Sequence, residues 1–258
     1  MTRRRAVRGF LFALAVMLAA GVPVRAQDAD GQIRSLVRSL GYGAGIHQFK
    51  NYVLRGTDEY RVNAEVHFGQ AEKALVALRD STGLTTDQKQ AVDAIARVVS
   101  KYLANLGVAQ KMIREGRSVT DIDRAVRVDD TPAANGLATL RAGRTWTSLD
   151  GLEAALGYAG AIHHFKNYVL RGDDEYRAKA AAEFQNVTRA VAALRVEGSR
   201  TARQMQALDD LGGVVRRYAA NLEVVRTMIG ERKSVKDIDL AVKVDDTPAT
   251  AALAVLRR

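Results

Sequence analysis

The chain has no cysteine and only three prolines. The missing cysteine excludes disulfides, thiolate metal sites, cysteine nucleophiles and c-type haem attachment, together with the lipid anchor of a bacterial lipoprotein. Because proline breaks helix interiors, its scarcity favours long helices over a loop-rich β fold. A hydrophobic content of 47% with 26% charged residues is typical of a globular protein, and 258 residues leave room for two domains.

Acidic residues are missing from the first 26 positions, and this changes the meaning of the net charge of +10. Five arginines of that segment account for half of the excess. The remaining positive charges are spread along the chain with acids between them, which is typical of a solvated surface of mixed charge. We therefore expect no nucleic-acid partner.

Residues 1–26 have the three parts of a secretory signal peptide. A cationic start precedes an apolar run of about a dozen residues from Phe10, and Val24-Arg25-Ala26 is typical of a cleavage site. The run is shorter than the roughly 20 residues that span a bilayer. We predict cleavage after Ala26 and a soluble periplasmic or secreted protein, with an uncleaved anchor as the alternative.

Two motifs of the chain recur at a constant offset of 116 positions. Residues 50–56 read KNYVLRG and recur unchanged at 166–172, and VDDTPA at 128–133 recurs at 244–249. Because the offset needs no gap, a whole domain is duplicated rather than a short solenoid unit. The predicted order is a signal peptide (1–26), a first module (31–142), a linker (143–147) and a second module (148–258).

Apolar residues within each module recur at helical spacing. The clearest stripe, at 92–113, advances in alternating steps of three and four residues and has a counterpart at 208–229. Such a seam is typical of helices that pack in a left-handed bundle at about 20°. Gly56 marks a helix end, and Thr85 with Gln88 predicts a capping box. We predict an all-α protein of two tandem four-helix-bundle modules, each with a short extra helix.

Two polar residues interrupt the apolar stripe of the first helix of each module. At 100° per residue, His47 and Asn51 fall in line with Leu40 and Leu54, where a bundle ordinarily carries leucine. A buried polar group costs on the order of a few kcal/mol unless it is hydrogen-bonded. These residues therefore need partners inside the bundle, which would fix helix register, or a small polar or anionic ligand. The candidate ligand-binding residues are His47, Lys50, Asn51, Arg55, Tyr102 and Asn105, with their counterparts His163, Lys166, Asn167, Arg171, Tyr218 and Asn221.

Other functions are less well supported by the residues. A haem or metal site is weakened because the modules share one histidine each and no Glu-x-x-His pair, while His67 and His164 lack counterparts. Asp129 and Asp130 are interpreted as helix caps before Thr-Pro. No P-loop, nucleophile elbow, dinucleotide fingerprint or pair of catalytic carboxylates with an acid/base partner occurs, so we expect neither an enzyme nor a bound cofactor.

Residues 41–56, GYGAGIHQFKNYVLRG, resemble the opening of a periplasmic sensory module of bacterial methyl-accepting chemotaxis receptors, sensor kinases and diguanylate cyclases. The VDDTPA stretch at 128–133 resembles the end of that module, so the resemblance covers nearly all of each copy. It implies a helical fold and the sensing of a signal across the inner membrane.

The chain departs from that family because no membrane helix or output domain follows the second module. We therefore expect a soluble binding or scavenging protein, or one that docks onto a membrane-bound sensor or receptor. Since bundle-type receptor modules often work as dimers, the two copies are expected to form an intramolecular pseudo-dimer with the ligand between the first helices. The alternatives are a structural or partner-binding protein without a ligand, and a haem or metal carrier.

Overall fold

The computed structural model describes residues 29–258. The predicted signal peptide, residues 1–26, lies outside the described residues. Residues 29–258 form helices and no strand, which confirms the all-α prediction for this part of the chain. The helices are α1 (Ala29–Leu40), α2 (Gly45–Arg55), α3 (Asp58–Arg79), α4 (Thr86–Arg114), α5 (Val119–Ala125), α6 (Thr131–Arg141), α7 (Ser148–Leu156), α8 (Ala161–Arg171), α9 (Asp174–Val196), α10 (Ala202–Gly230), α11 (Val235–Ala241) and α12 (Thr247–Leu256).

Several helix boundaries follow from the local sequence as predicted. The Thr85 hydroxyl accepts from the backbone N–H of Gln88, and the Gln88 side chain accepts from the backbone N–H of Thr85. This reciprocal pair satisfies N–H groups that the first turn of α4 leaves free. Gly56 ends α2 with φ 68°, a left-handed conformation that glycine adopts without steric cost.

The prediction of one continuous first helix in each copy is wrong. Residues 41–44 separate α1 from α2, and Gly43 takes φ 74° there. Residues 157–160 break the second copy at the equivalent point, where Ala159 takes φ 59°. Because a left-handed residue cannot continue a right-handed helix, α2 does not extend the stripe of Leu40 along one axis. His47 and Asn51 thus belong to a separate helix with its own packing direction.

Equivalent helices of the two copies pack in the same way. In copy one, α3 packs against α1, α2 and α4, and α4 packs against α6. In copy two, α9 packs against α7, α8 and α10, and α10 packs against α12. Aromatic rings fill the centre of copy one: Phe49 lies edge-on to Tyr102, with ring centroids 4.9 Å apart, and Phe68 stacks on Tyr102 at 5.7 Å.

The two copies also contact each other, and they do so through equivalent elements. Helix α1 packs against α7, α2 against α8 and α5 against α11. Helix α5 of copy one also packs against α8, and α11 of copy two packs against α2. The short helix of each copy therefore packs against the helix of the other copy that contains the KNYVLRG motif. The candidate site lies along this contact. None of the helices within residues 29–258 is long and apolar enough to cross a membrane.

Candidate functional site

The polar residues of α2 and α8 are buried where the copies meet. His47, Lys50 and Asn51 expose 5%, 3% and 3% of their surface, and their counterparts on α8 are equally buried. The prediction that His47 and Asn51 face inward is confirmed, and Lys50, which was expected to flank the stripe, is buried with them. Such burial is costly for a histidine, an amide and an ammonium unless each finds a partner.

His47 finds its partner in the other copy. Its Nε2 lies 3.1 Å from Oδ2 of Asp246, which precedes α12. Oδ1 of the same carboxylate accepts hydrogen bonds from the hydroxyls of Tyr42 at 2.6 Å and Tyr218 at 2.8 Å. Burial by itself would raise the pKa of Asp246, but His47 and Tyr42 hold that pKa well below its ordinary value. The carboxylate is therefore ionised at neutral pH.

The second copy repeats this arrangement in the opposite direction. Nε2 of His163 lies 3.1 Å from Oδ2 of Asp130, whose Oδ1 accepts from Tyr158 at 2.9 Å and Tyr102 at 2.6 Å. Burial, and then the charge of Lys50, lowers the pKa of His163. We call these two groups the carboxylate clusters: Asp246 with His47, Tyr42 and Tyr218, and Asp130 with His163, Tyr158 and Tyr102.

The interpretation of both aspartates of the VDDTPA motif as helix caps is only half right. Oδ1 of Asp129 accepts from the backbone N–H of Thr131 at 3.0 Å, and Asp245 does the same for Thr247. Asp130 makes no side-chain capping bond, because its carboxylate is turned to the other copy. One aspartate of each pair caps the helix and the other joins the copies.

Arginines at the end of α2 and α8 form a second reciprocal contact. Arg55 binds Asp239 of copy two through two bonds, Nε–Oδ2 at 2.8 Å and Nη2–Oδ1 at 3.1 Å. Arg171 binds Asp123 of copy one in the same way, at 3.1 and 3.3 Å. Both aspartates are buried. Two-point binding of this kind fixes the orientation of both groups, and it engages the arginines that were predicted to meet a ligand.

The lysines and asparagines break the symmetry between the copies. Nζ of Lys50 donates to Oδ1 of Asn167 at 2.6 Å. Its counterpart Lys166 instead has its Nζ 3.8 Å from Oδ1 of Asp239. Within the described part of the chain, Oδ1 of Asn51 is buried and accepts no hydrogen bond. Burial lowers the pKa of both lysines to about 8.

Two of the twelve predicted residues lie apart from the histidines. Nδ2 of Asn105 donates to the carbonyl of Val126 at 2.9 Å, and Asn221 does the same for Val242 at 3.0 Å. Each amide thereby binds the carbonyl that follows a short helix, a structural role that does not involve His47. Including Asn105 and Asn221 among the ligand-binding residues gains no support. Tyr102 and Tyr218 do belong to the clusters, but each meets the other copy's histidine through an aspartate.

The space between α2 and α8 does not fit the predicted ligand. The cavity there measures about 10 Å³ and is lined by both histidines and both lysines. A volume of this size holds about one water molecule. The expected position of a ligand between the first helices is therefore wrong for this structure, because the paired side chains fill that space.

A larger groove opens beside the first carboxylate cluster. It measures about 740 Å³ and lies between α2 and α3 of copy one and residues 243–250 of copy two. We call it the copy-one groove. Its polar lining residues are His47, Gln48, Asn51, Arg55, Tyr60, Asn63, His67, Lys243, Asp245, Asp246, Thr247 and Thr250.

Three polar atoms of α2 in this groove have no partner among the described residues. They are Nδ1 of His47, Oε1 of Gln48 and Oδ1 of Asn51, and all three atoms are buried. When the proton of a neutral His47 ring sits on Nε2, toward Asp246, Nδ1 is left as a lone-pair acceptor. Three buried polar atoms without a partner in residues 29–258 thus lie along the α2 wall of the groove.

Sequence reasoning missed the aspartates and the tyrosines Tyr42 and Tyr158. The missed aspartates lie in the repeated motifs Asp121-Ile122-Asp123 and VDDTPA, so recurrence of charge in both copies was the available signal. In residues 29–258, no three histidine, cysteine or acidic side chains are grouped so that they could hold a metal ion. Comparison of the chain with protein-family models, curated proteins and solved structures gives no match.

Proposed function

We propose that the protein is an exported, soluble binding protein of the periplasmic sensory type, built from two tandem four-helix-bundle modules fused as an intramolecular pseudo-dimer. The copy-one groove carries this proposal, because residues of both copies line it and three polar atoms of its α2 wall have no hydrogen-bond partner among the described residues. A small polar molecule that donates hydrogen bonds fits these atoms. Leaving them unpaired costs on the order of 1–3 kcal/mol each.

The groove also suggests how binding could be transmitted. Its walls belong to two copies that are otherwise joined by charged contacts, so a ligand that bridges α2 and residues 243–250 favours one arrangement of the copies over another. A membrane-bound sensor or receptor in contact with both copies would detect that difference. The resemblance of residues 41–56 to a chemoreceptor module supports this direction.

A thermal-shift screen of small polar compounds on the purified protein tests the proposal. A ligand at a hundred times its Kd raises the free energy of unfolding by about 2.7 kcal/mol. Stabilisation should disappear in Asn51→Leu and Gln48→Leu and persist in the matched copy-two variant His164→Leu. A compound that stabilises all four proteins equally does not use the groove.

Export is tested independently of the ligand. Fractionation of the producing cells should place the protein in the periplasm or medium, with a mature amino terminus at Gln27. Recovery of the intact amino terminus in the cytoplasm would contradict a cleaved leader and with it the proposed location.

A second candidate function, a structural or partner-binding protein without a small-molecule ligand, is favoured by the carboxylate clusters. They pair Nε2 of His47 and of His163 within the chain, so neither ring needs a ligand at that nitrogen. Under this alternative the screen yields no stabilising compound, and His47→Ala loosens the contact between the copies without changing any binding isotherm.

A further inference from the structure

Glu153 forms an ionic cluster that has no equivalent in copy one, where Val37 takes its position. Glu153 on α7 exposes 5% of its surface and accepts from Nε of Arg38 at 2.7 Å and Nε of Arg257 at 2.6 Å. The two arginines thus pair with one buried carboxylate and compensate its negative charge.

Of the three charged residues in this cluster, only Arg257 has a charged counterpart at the equivalent positions of the other copy. A shift by 116 positions replaces Glu153 by Val37 and Arg38 by Ala154, whereas Arg257 is replaced by Arg141. Arg141 therefore retains the guanidinium but has lost the carboxylate that its counterpart binds. Across residues 29–258 it forms no ion pair, and its buried Nε has no hydrogen-bond partner.

The remaining contacts of Arg141 within residues 29–258 include no carboxylate at ion-pair distance. The guanidinium lies over the ring of Trp146, 4.9 Å from its centroid, which gives a cation–π contact. Burial lowers the pKa of Arg141, and the charge of Asp150 acts in the opposite direction. A partly buried arginine without a carboxylate is an unusual arrangement, because the guanidinium fork is built to bind an anion through two bonds.

A cavity of about 260 Å³ lies beside this guanidinium. Its wall is formed mainly by small and apolar side chains from both copies, and one acid, Glu183, also lines it. The Oε2 atom of Glu183 accepts from Asn186 at 3.1 Å. The apolar wall consists of Val37, Ala134, Leu137, Ala138, Ala154 and Ala155. The corresponding cavity of about 360 Å³ next to Arg257 has more polar lining residues, among them two serines, Gln70, His67 and two arginines.

We propose that this cavity is a binding site for a small organic carboxylate, with its carboxylate on Arg141 and its aliphatic chain against the apolar wall. The ligand carboxylate takes the place that Glu153 holds in the other copy. The site is separate from the copy-one groove, so it goes beyond the function proposed above and does not rest on it. No bond is made or broken when the ligand binds.

Calorimetric titration of the purified protein with acetate, propionate and butyrate tests this assignment, with butyramide and butylamine as probes that lack the carboxylate. Each added methylene should tighten binding roughly fourfold until the cavity is filled, as expected for burial of apolar surface. Butyramide and butylamine should not bind. Equal affinity for butyrate and butyramide would overturn the proposal, as would the lack of saturable binding of all three carboxylates.

Two variants and a matched control locate the site. Arg141→Gln should weaken butyrate at least tenfold, because the charged fork is lost. Val37→Glu should weaken it as much by a different route, since it introduces the carboxylate that the second copy carries and pairs Arg141 internally. Arg257→Gln, the counterpart in copy two, should leave the Kd unchanged. Circular dichroism and melting curves show that each variant is folded.

The result also separates this site from the groove. Butyrate binding that survives Arg141→Gln and Val37→Glu but is lost in Asn51→Leu would refute the Arg141 site while supporting the groove as a ligand site. Equal weakening by Arg141→Gln and Arg257→Gln would likewise contradict a site specific to Arg141. Binding lost in Arg141→Gln and kept in Asn51→Leu supports the proposal even if the groove binds nothing.

Discussion

The carboxylate of Asp246 receives three hydrogen bonds from two copies, and replacing it should be unusually costly. In Asp246→Asn, the amide oxygen can still accept from the hydroxyls of Tyr42 and Tyr218, but the amide nitrogen that replaces Oδ2 cannot accept from His47, and the negative charge is gone. Removing one partner of a fully buried charge pair costs about 3–5 kcal/mol, and Asp246, whose side chain is 20% exposed, should lie near the lower end of that range. We expect the free energy of unfolding in urea to fall by that amount, with Asp130→Asn agreeing within about 1 kcal/mol because its cluster has the same geometry.

The neighbouring aspartate provides the control for this prediction. Asp245 is exposed and accepts from the backbone N–H of Thr247. Because asparagine is as good as aspartate at a helix amino terminus, Asp245→Asn should change stability by a few tenths of a kcal/mol. If Asp246→Asn costs less than about 1 kcal/mol, or no more than Asp245→Asn, the clusters do not hold the copies together and the reasoning fails.

The same carboxylate also predicts an acid dependence. The pKa of Asp246 is lower in the folded chain than its unfolded value of about 3.9, so its contribution to stability is present above that value. The contribution is lost as the pH falls below about 4 toward the folded pKa. Urea unfolding between pH 7 and pH 2.5 should show this decline, and the decline should be shallower in Asp246→Asn. If the free energy of unfolding declines with falling pH as steeply in Asp246→Asn as in the unchanged protein, other acidic residues account for the acid dependence.

Three further changes give distinct results. The pKa of Lys50 and Lys166 is about 8 in the folded protein and about 10.5 in the unfolded chain. Stability should therefore rise between pH 8 and pH 10.5, by up to about 3 kcal/mol for each lysine, and Lys50→Met should halve this rise as measured by the urea midpoint. A rise of equal size in the variant would exclude Lys50 as its source. Ala159→Gly should raise the melting temperature, with a gain of about 0.5–1 kcal/mol, because φ 59° strains alanine; a loss would contradict that strain. Glu153→Gln should cost about 1–2 kcal/mol in urea unfolding, since both arginines that it binds are about a third exposed; a neutral result would mean that solvent screens the group completely.

The sequence predicts the helices well because their signals are local. The capping box at Thr85 and the stop at Gly56 involve residues within one turn of each other, so no distant contact can override them easily. The break at residues 41–44 was missed because the apolar spacing continues across it. Gly41 and Gly43 were the available signal, and only the left-handed φ of Gly43 shows that the chain turns there.

For the candidate site, the sequence predicts the buried polar residues of α2 and α8 but not the residues that they contact. The polar interruption at His47 and Asn51 is visible because helical periodicity demands an apolar residue there. The partner of His47, Asp246, lies in the other copy. Its position before Thr-Pro is already explained by helix capping, so the sequence gives no reason to expect a second role. Periodicity identifies a side chain that faces inward, but it carries no information about which surface of another domain covers it.

The unequal pair formed by Val37 and Glu153 illustrates what covalent fusion permits. In a homodimer made from separate chains, every substitution appears on both sides of the two-fold axis, so a cavity cannot change on one side alone. Joining the copies in one polypeptide removes this restriction and keeps the halves at a high effective concentration. One half can then retain the ionic contacts needed for assembly while the other diverges, and the protein behaves as a heterodimer encoded by a single gene.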